Sequence, residues 1–178
     1  MFNEYNNKLQ NDRIAKNTYL KNEINSPIPE EERGGFKGLN YFPVDGKFRF
    51  ELELIEFPDK IEIIIKDSKG NDRHFIKFGK FKFKIDDIEN QLIAYKSDVN
   101  DTRLFIPYKD KTTAIDSYGA GRYLDLEEEH DKVGEKWILD FNLAYNPWCA
   151  YNSKYSCPLV PDENVLNVAV TAGEKKYK

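Results

Sequence analysis

Between positions 48 and 54 apolar and charged side chains alternate without a break: Phe48, Phe50, Leu52 and Leu54 against Arg49, Glu51 and Glu53. Successive side chains of an extended strand point to opposite faces, so a period of two demands a strand with one face in a core and the other in water. A helix would scatter the same apolar residues around its circumference. The pattern continues downstream. Residues 61–66 form an apolar run, Asp67-Ser68-Lys69-Gly70-Asn71-Asp72 is turn chemistry, and a further strand follows over residues 73–78. Phe81, Phe83 and Ile85 alternate with Lys82 and Lys84, and residues 92–96 and 104–107 add two short apolar runs. Strands joined by short turns predict a mainly β protein, an antiparallel meander forming a barrel- or sandwich-like domain.

Ahead of the meander, Leu9, Ile14, Tyr19, Leu20 and Ile24 are spaced loosely enough to permit one amphipathic helix, which Ser26-Pro27-Ile28-Pro29 ends. The 178 residues are read as one domain: the N-terminal helix over 1–25, the meander over 36–107, and a loop-rich, motif-bearing segment over 108–174. With 12 Phe and 11 Tyr the chain has ample core-forming side chains and is expected to fold. Its net charge of −4 is interleaved along the chain, which argues against a nucleic-acid footprint. No apolar stretch approaches the roughly 20 residues a bilayer span needs. Met1-Phe2-Asn3-Glu4-Tyr5 lacks the features of a secretory leader, so a cytoplasmic location is expected. No nucleotide-binding, hydrolase or zinc-protease fingerprint occurs, so no cofactor is expected, and Gly119-Ala120-Gly121 is too short for a dinucleotide loop. Oligomeric state stays open.

Beyond Pro107, glycines, tyrosines, asparagines and prolines replace regular alternation. Strands are expected over residues 122–126, 137–142 and 164–170, and the basic Lys175-Lys176-Tyr177-Lys178 reads as a frayed end. Three stretches carry a resemblance: Tyr118-Gly119-Ala120-Gly121-Arg122-Tyr123-Leu124-Asp125; Leu139-Asp140-Phe141-Asn142-Leu143-Ala144-Tyr145-Asn146-Pro147-Trp148-Cys149-Ala150-Tyr151; and Tyr155-Ser156-Cys157-Pro158-Leu159. Together with Phe36-Lys37-Gly38-Leu39, Pro107-Tyr108-Lys109-Asp110-Lys111-Thr112 and Ala172-Gly173-Glu174-Lys175, they resemble an archaeal and bacterial family catalogued as domain of unknown function 1684. The resemblance implies no activity. Val160 departs from the family pattern, where a second proline often follows Cys-Pro-Leu.

Chemistry concentrates in the same segment. On a strand through residues 137–142, Asp140 and Asn142 share a face, and Arg122 on a neighbouring strand would present its donor fork to the Asp140 carboxylate. That pair is either a structural ion pair or the base of a pocket for a small polar or anionic ligand, built from Arg122, Tyr123, Asp140, Asn142, Asn146, Tyr151 and Asn164. Asn146, before Pro147, and Asn164 are equally readable as turn and loop caps. Cys149 and Cys157 flank a turn-prone Asn152-Ser153-Lys154 and are expected to meet as a disulfide or a thiol pair. A metal is disfavoured, because tetrahedral zinc needs four ligands and His74 and His130 lie outside the motif. Three functions therefore compete: a small-molecule binding module, an enzyme using thiols or carboxylates such as Asp110, Asp125, Asp140 and Glu174, and a purely structural loop clamp.

Overall fold

The computed structural model describes residues 2–178, with side chains from Asn3 onward. Helix α1 spans Phe2–Asn22. Leu9 and Leu20 are buried on its inner face, but so is Arg13, while Ile14 and Ile24 lie out in solvent. The inner face is therefore more polar than the apolar spacing predicts. Ser26 stops the helix: its hydroxyl donates to the Leu20 carbonyl and accepts from the Ile28 amide, which seats Ile28 in the interior.

The strands are β1 (Arg49–Glu53), β2 (Ile55–Lys66), β3 (Asp72–Ile85), β4 (Ile88–Lys96), β5 (Arg103–Tyr108), β6 (Arg122–Glu127), β7 (Lys132–Val133) and β8 (Lys136–Asp140). They form two antiparallel sheets, of order β1-β8-β7 and β2-β3-β4-β5-β6. The domain is sandwich-like, and no closed barrel forms among the described residues. The alternation at 48–54 is read correctly: Phe48 is fully buried and Phe50, Leu52 and Leu54 pack against the main core, with Arg49, Glu51 and Glu53 exposed. Phe48 itself sits in a 3-10 turn, Gly46–Phe48, capped by the Asp45 carboxylate. The turn over residues 67–71 joins β2 to β3, and the runs expected at 73–78 and 81–85 are one strand.

That strand pairs with β2 on one side and β4 on the other, and both ladders are irregular around Gly79. A Cβ there would lie 2.8 Å from the Ile55 carbonyl oxygen, so only glycine lets β2 cross this closely. Beyond it Phe81, Phe83 and Ile85 turn into the core with Leu104, Ile106, Leu124, Leu139 and Phe141. Burying each such side chain stabilises the fold by about 1.5–3 kcal/mol.

Three expectations fail, each for a local reason. The strand through 142 ends at Asp140, whose carboxylate accepts the Asn142 amide and starts a 3-10 turn, Phe141–Leu143. Residues 164–170 do not form a strand. Leu166, Val168 and Val170 alternate inward as the pattern requires, but backbone-to-backbone bonds reach just residues 109 and 111 in place of a ladder, and Asn164 closes a 3-10 turn. The basic end is docked rather than frayed: the Lys175 amide donates to the Asn40 carbonyl, and Tyr177 packs on Phe36 and Tyr151. No helix among the described residues is long and apolar enough to cross a membrane.

Candidate functional site

Arg122 opens β6 opposite Tyr108 of β5, two residues before Asp110. The preceding Gly121 has φ of 98°, and a Cβ there would meet the Tyr108 carbonyl oxygen at 2.6 Å, so the approach to Arg122 depends on glycine. The guanidinium is 1% exposed. It donates from Nη2 to Asp110 Oδ2 and the Val170 carbonyl, both at 2.9 Å, and from Nη1 to the carbonyls of Ala172 and Glu174. Asp110 Oδ1 accepts the Thr112 and Val170 amides. The expected partner Asp140 is thus replaced by Asp110. The reason is topological: Asp140 lies in the other sheet, opposite Arg49 of β1.

At that second location Asp140 Oδ1 accepts the Asn142 amide and side chain, each at 3.0 Å, and Oδ2 accepts the Tyr5 hydroxyl beside Arg49 Nε at 3.6 Å. Burial and the neighbouring carboxylate push the Tyr5 hydroxyl well above its ordinary pKa. Asn142 clasps the Asp45 backbone by both its amide and its carbonyl.

A third location centres on Glu174, which is 1% exposed. Its carboxylate accepts from Lys16 at 2.5 Å, the Tyr151 hydroxyl at 2.7 Å and the Asn146 amide at 2.8 Å. Asn146 also donates from its side chain to the Lys175 carbonyl. Asn164 lies elsewhere again, bonded through its amide to both backbone groups of Ile93 and to the Pro107 carbonyl. Strands β4 and β5 pair in register at Tyr95 and Phe105, so this one side chain stands in for ladder bonds where the strands splay. The seven candidate residues therefore divide among separate locations, and most of their polar atoms are bonded within the chain.

Tyr123 leads to the thiols. Its hydroxyl donates to the Pro158 carbonyl, next to Cys157, and its ring packs against Phe105 and Tyr145. Cys157 is pinned to the β2–β3 turn, its amide donating to Ser68 Oγ and its carbonyl accepting the Ser68 amide. Cys149, in the 3-10 turn Trp148–Ala150, donates its amide to Cys157 Sγ at 3.3 Å, and the Tyr118 hydroxyl lies 3.8 Å from Cys149 Sγ. Both cysteines are free and half-buried. Hydrogen bonding from the Cys157 thiol, helped by Tyr118, pulls Cys149 down to about 6 against the opposing cost of burial. The same bond and burial push Cys157 up. Burial and the adjacent Cys149 raise Tyr118 to about 12. Ser68 and Tyr118 were missed as neighbours of the pair, although Tyr118 opens the motif. Among the described residues no three His, Cys, Asp or Glu converge as a metal site would require.

Fold and sites together define a β-rich domain with an apolar core and buried polar groups at strand ends and in loops. Residues 34–175 match the family described as Protein of unknown function (DUF1684), and the chain belongs to that family. It is also similar to an uncharacterized protein from gene locus rrnAC0354 of Haloarcula marismortui, solved by solution NMR. The two are 35% identical over 98% of this chain and 95% of the other, with a TM-score of 0.74. No curated protein matches the chain.

Proposed function

We propose that this chain is a dithiol protein in which the Cys149 thiolate attacks disulfides and Cys157 resolves the product. The observation that supports the reading is the Cys149–Cys157 contact itself, made within a half-exposed loop and flanked by Tyr118 and Ser68. A thiolate needs a donor to hold its charge and a path for its target; the Tyr118 hydroxyl 3.8 Å from Cys149 Sγ and the partial exposure of Cys149 support that reading. In the reaction Cys149 S⁻ attacks one sulfur of R–S–S–R, forming Cys149–S–S–R and releasing RS⁻. Cys157, deprotonated, then attacks Cys149 sulfur, closing the intramolecular disulfide and releasing the second RS⁻. One disulfide is reduced and one formed, with two protons passed to the leaving thiolates.

Alkylation by iodoacetamide, followed residue by residue in a mass spectrometer across a pH series, tests this. Because the thiolate form persists above its pKa, Cys149 should be modified with a midpoint near pH 6 while Cys157 stays silent. Cys157→Ala should move that midpoint up towards the ~8.5 of a free thiol. With oxidised glutathione the native chain should lose two hydrogens in mass, and the alanine variant should carry one glutathione. Two cysteines alkylating together near pH ~8.5 would overturn the proposal.

For the other motif residues the same geometry supports the structural alternative. Arg122, Asn142, Asn146, Tyr151 and Asn164 bond mainly to backbone and to buried carboxylates, and serve as clamps that hold irregular segments in place.

A further inference from the structure

The two thiols sit on backbone segments that are anchored independently of each other. Cys149 lies in the turn Trp148–Ala150, closed by the Ala150 amide on the Pro147 carbonyl. Cys157 is fastened to the β2–β3 turn by its two bonds with Ser68, and the residue after it by the Tyr123 hydroxyl on the Pro158 carbonyl. The Lys69 ammonium donates to the Lys154 carbonyl and so ties the same turn to the loop between the cysteines. Sulfurs held in this way form a preorganised chelate, in which most of the ordering is complete before any ion arrives.

The surroundings decide what such a chelate can hold. Among the described residues no third His, Cys, Asp or Glu completes a group with the two thiols. His74 pairs with Ile64, so its side chain leaves the sheet on the opposite face from Ile63, Ile65 and Phe75, which share a cluster with Cys157. His130 lines a cleft with Tyr5 and Asp140. Asp67, next to Ser68, is 1% exposed, and its oxygens accept from Lys69, Asn71 and Arg73. From residue 141 to residue 161 the one charged side chain is Lys154. A structural zinc ion, which takes four ligands, finds too few here. A soft monovalent d¹⁰ ion prefers thiolates and is satisfied by two of them in a line.

We propose that Cys149 and Cys157 form a binding site for a soft monovalent cation, copper(I) in a cell, held between the two sulfurs as a linear dithiolate. Both thiols are half-buried and half-open, which gives the ion a path in. Two metal–sulfur bonds of about 2.3 Å set the sulfurs roughly 4.6 Å apart, a spacing that thiols already in contact reach by a small rotation. Any proton still on either sulfur passes to water, and the resulting complex carries a single negative charge. The Cys149 amide, 3.3 Å from Cys157 Sγ, and the Tyr118 hydroxyl, 3.8 Å from Cys149 Sγ, are the donors that stabilise it. This site needs the two sulfurs but not their reactivity towards disulfides, so it stands whether or not the exchange reaction occurs.

Anaerobic titration of the reduced full chain with copper(I) against bicinchoninate, a chelator coloured while it holds the ion, tests this. The native chain should bleach the colour with a break at one copper(I) per chain, and excess zinc should not restore it. X-ray absorption should show sulfur neighbours alone. Oxidising the native pair to its disulfide should abolish the competition, as should Cys149→Ser or Cys157→Ser. Tyr118→Phe should weaken binding about tenfold, as loss of a donor to a metal ligand does elsewhere. A native chain that leaves the colour unchanged would overturn the proposal, as would a nitrogen or oxygen neighbour of the copper, or copper that binds equally well after the pair is oxidised. The titration and its oxidised control both use the native chain, so they decide the question even if the variants fold poorly.

Discussion

Arg122 and Arg13 are both arginines removed from water, yet one is enclosed by acceptors and the other is nearly bare. Arg122 meets a carboxylate and three carbonyls, and those carbonyls belong to alternate residues, Val170, Ala172 and Glu174, of one extended segment. Arg13 meets one carbonyl and an aromatic face. Both leave a buried Nε without a partner, but Arg122 uses both terminal nitrogens to fasten that segment, whereas Arg13 holds its surroundings mainly by packing.

The same substitution at both positions gives the sharpest test. Arg122→Met strands Asp110 without its counter-charge and releases residues 170–174, and should cost about 3–5 kcal/mol in urea unfolding, enough to leave much of the chain unfolded. Asn164→Ala probes a neutral fastener: it leaves the Ile93 and Pro107 backbone groups unpaired and should cost about 1–3 kcal/mol, with β4 and β5 amides losing hydrogen-exchange protection first. Arg13→Met should cost less than about 1 kcal/mol, because it removes a charge with one long hydrogen bond and no ion pair. Should Arg13→Met prove as damaging as Arg122→Met, the distinction between the two arginines collapses.

Much of the β architecture was legible, because a half-buried strand writes its two faces directly into the order of residues. Phe48 to Leu54 and Phe81 to Ile85 show this, and the turn after Lys66 is fixed by its own Asp, Gly and Asn. Where the backbone is held by side chains instead of by a ladder, the period survives but the strand does not. Leu166, Val168 and Val170 alternate inward, and yet the backbone of residues 109 and 111 and the side chains of Asp110 and Arg122 supply the bonds. The partner of Arg122 was not legible either, since sequence shows that Asp110 and Asp140 are available but not which sheet each joins. Cys149 and Cys157 could be brought together on loop length, but the donors around them, Ser68 and Tyr118, come from distant turns. Arg13 escaped notice because a polar residue on a loosely amphipathic helix looks solvent-facing until the opposite wall is known.

Lys16 reaches Glu174 across 158 positions, and Tyr41 bridges to the same residue. This has a consequence for how the protein is made. When a ribosome has made α1 and residues 39–42, part of the dock is still absent, since the carboxylate for Lys16 and the Tyr177 ring that covers Tyr151 come more than 130 residues later. Contacts of such long span also carry a large loop-closure cost, which slows their formation. The helix, with its polar inner face, can wait in water without exposing a sticky apolar stripe. Synthesis order and helix composition are thus matched: an element built well before Glu174 is suited to the delay.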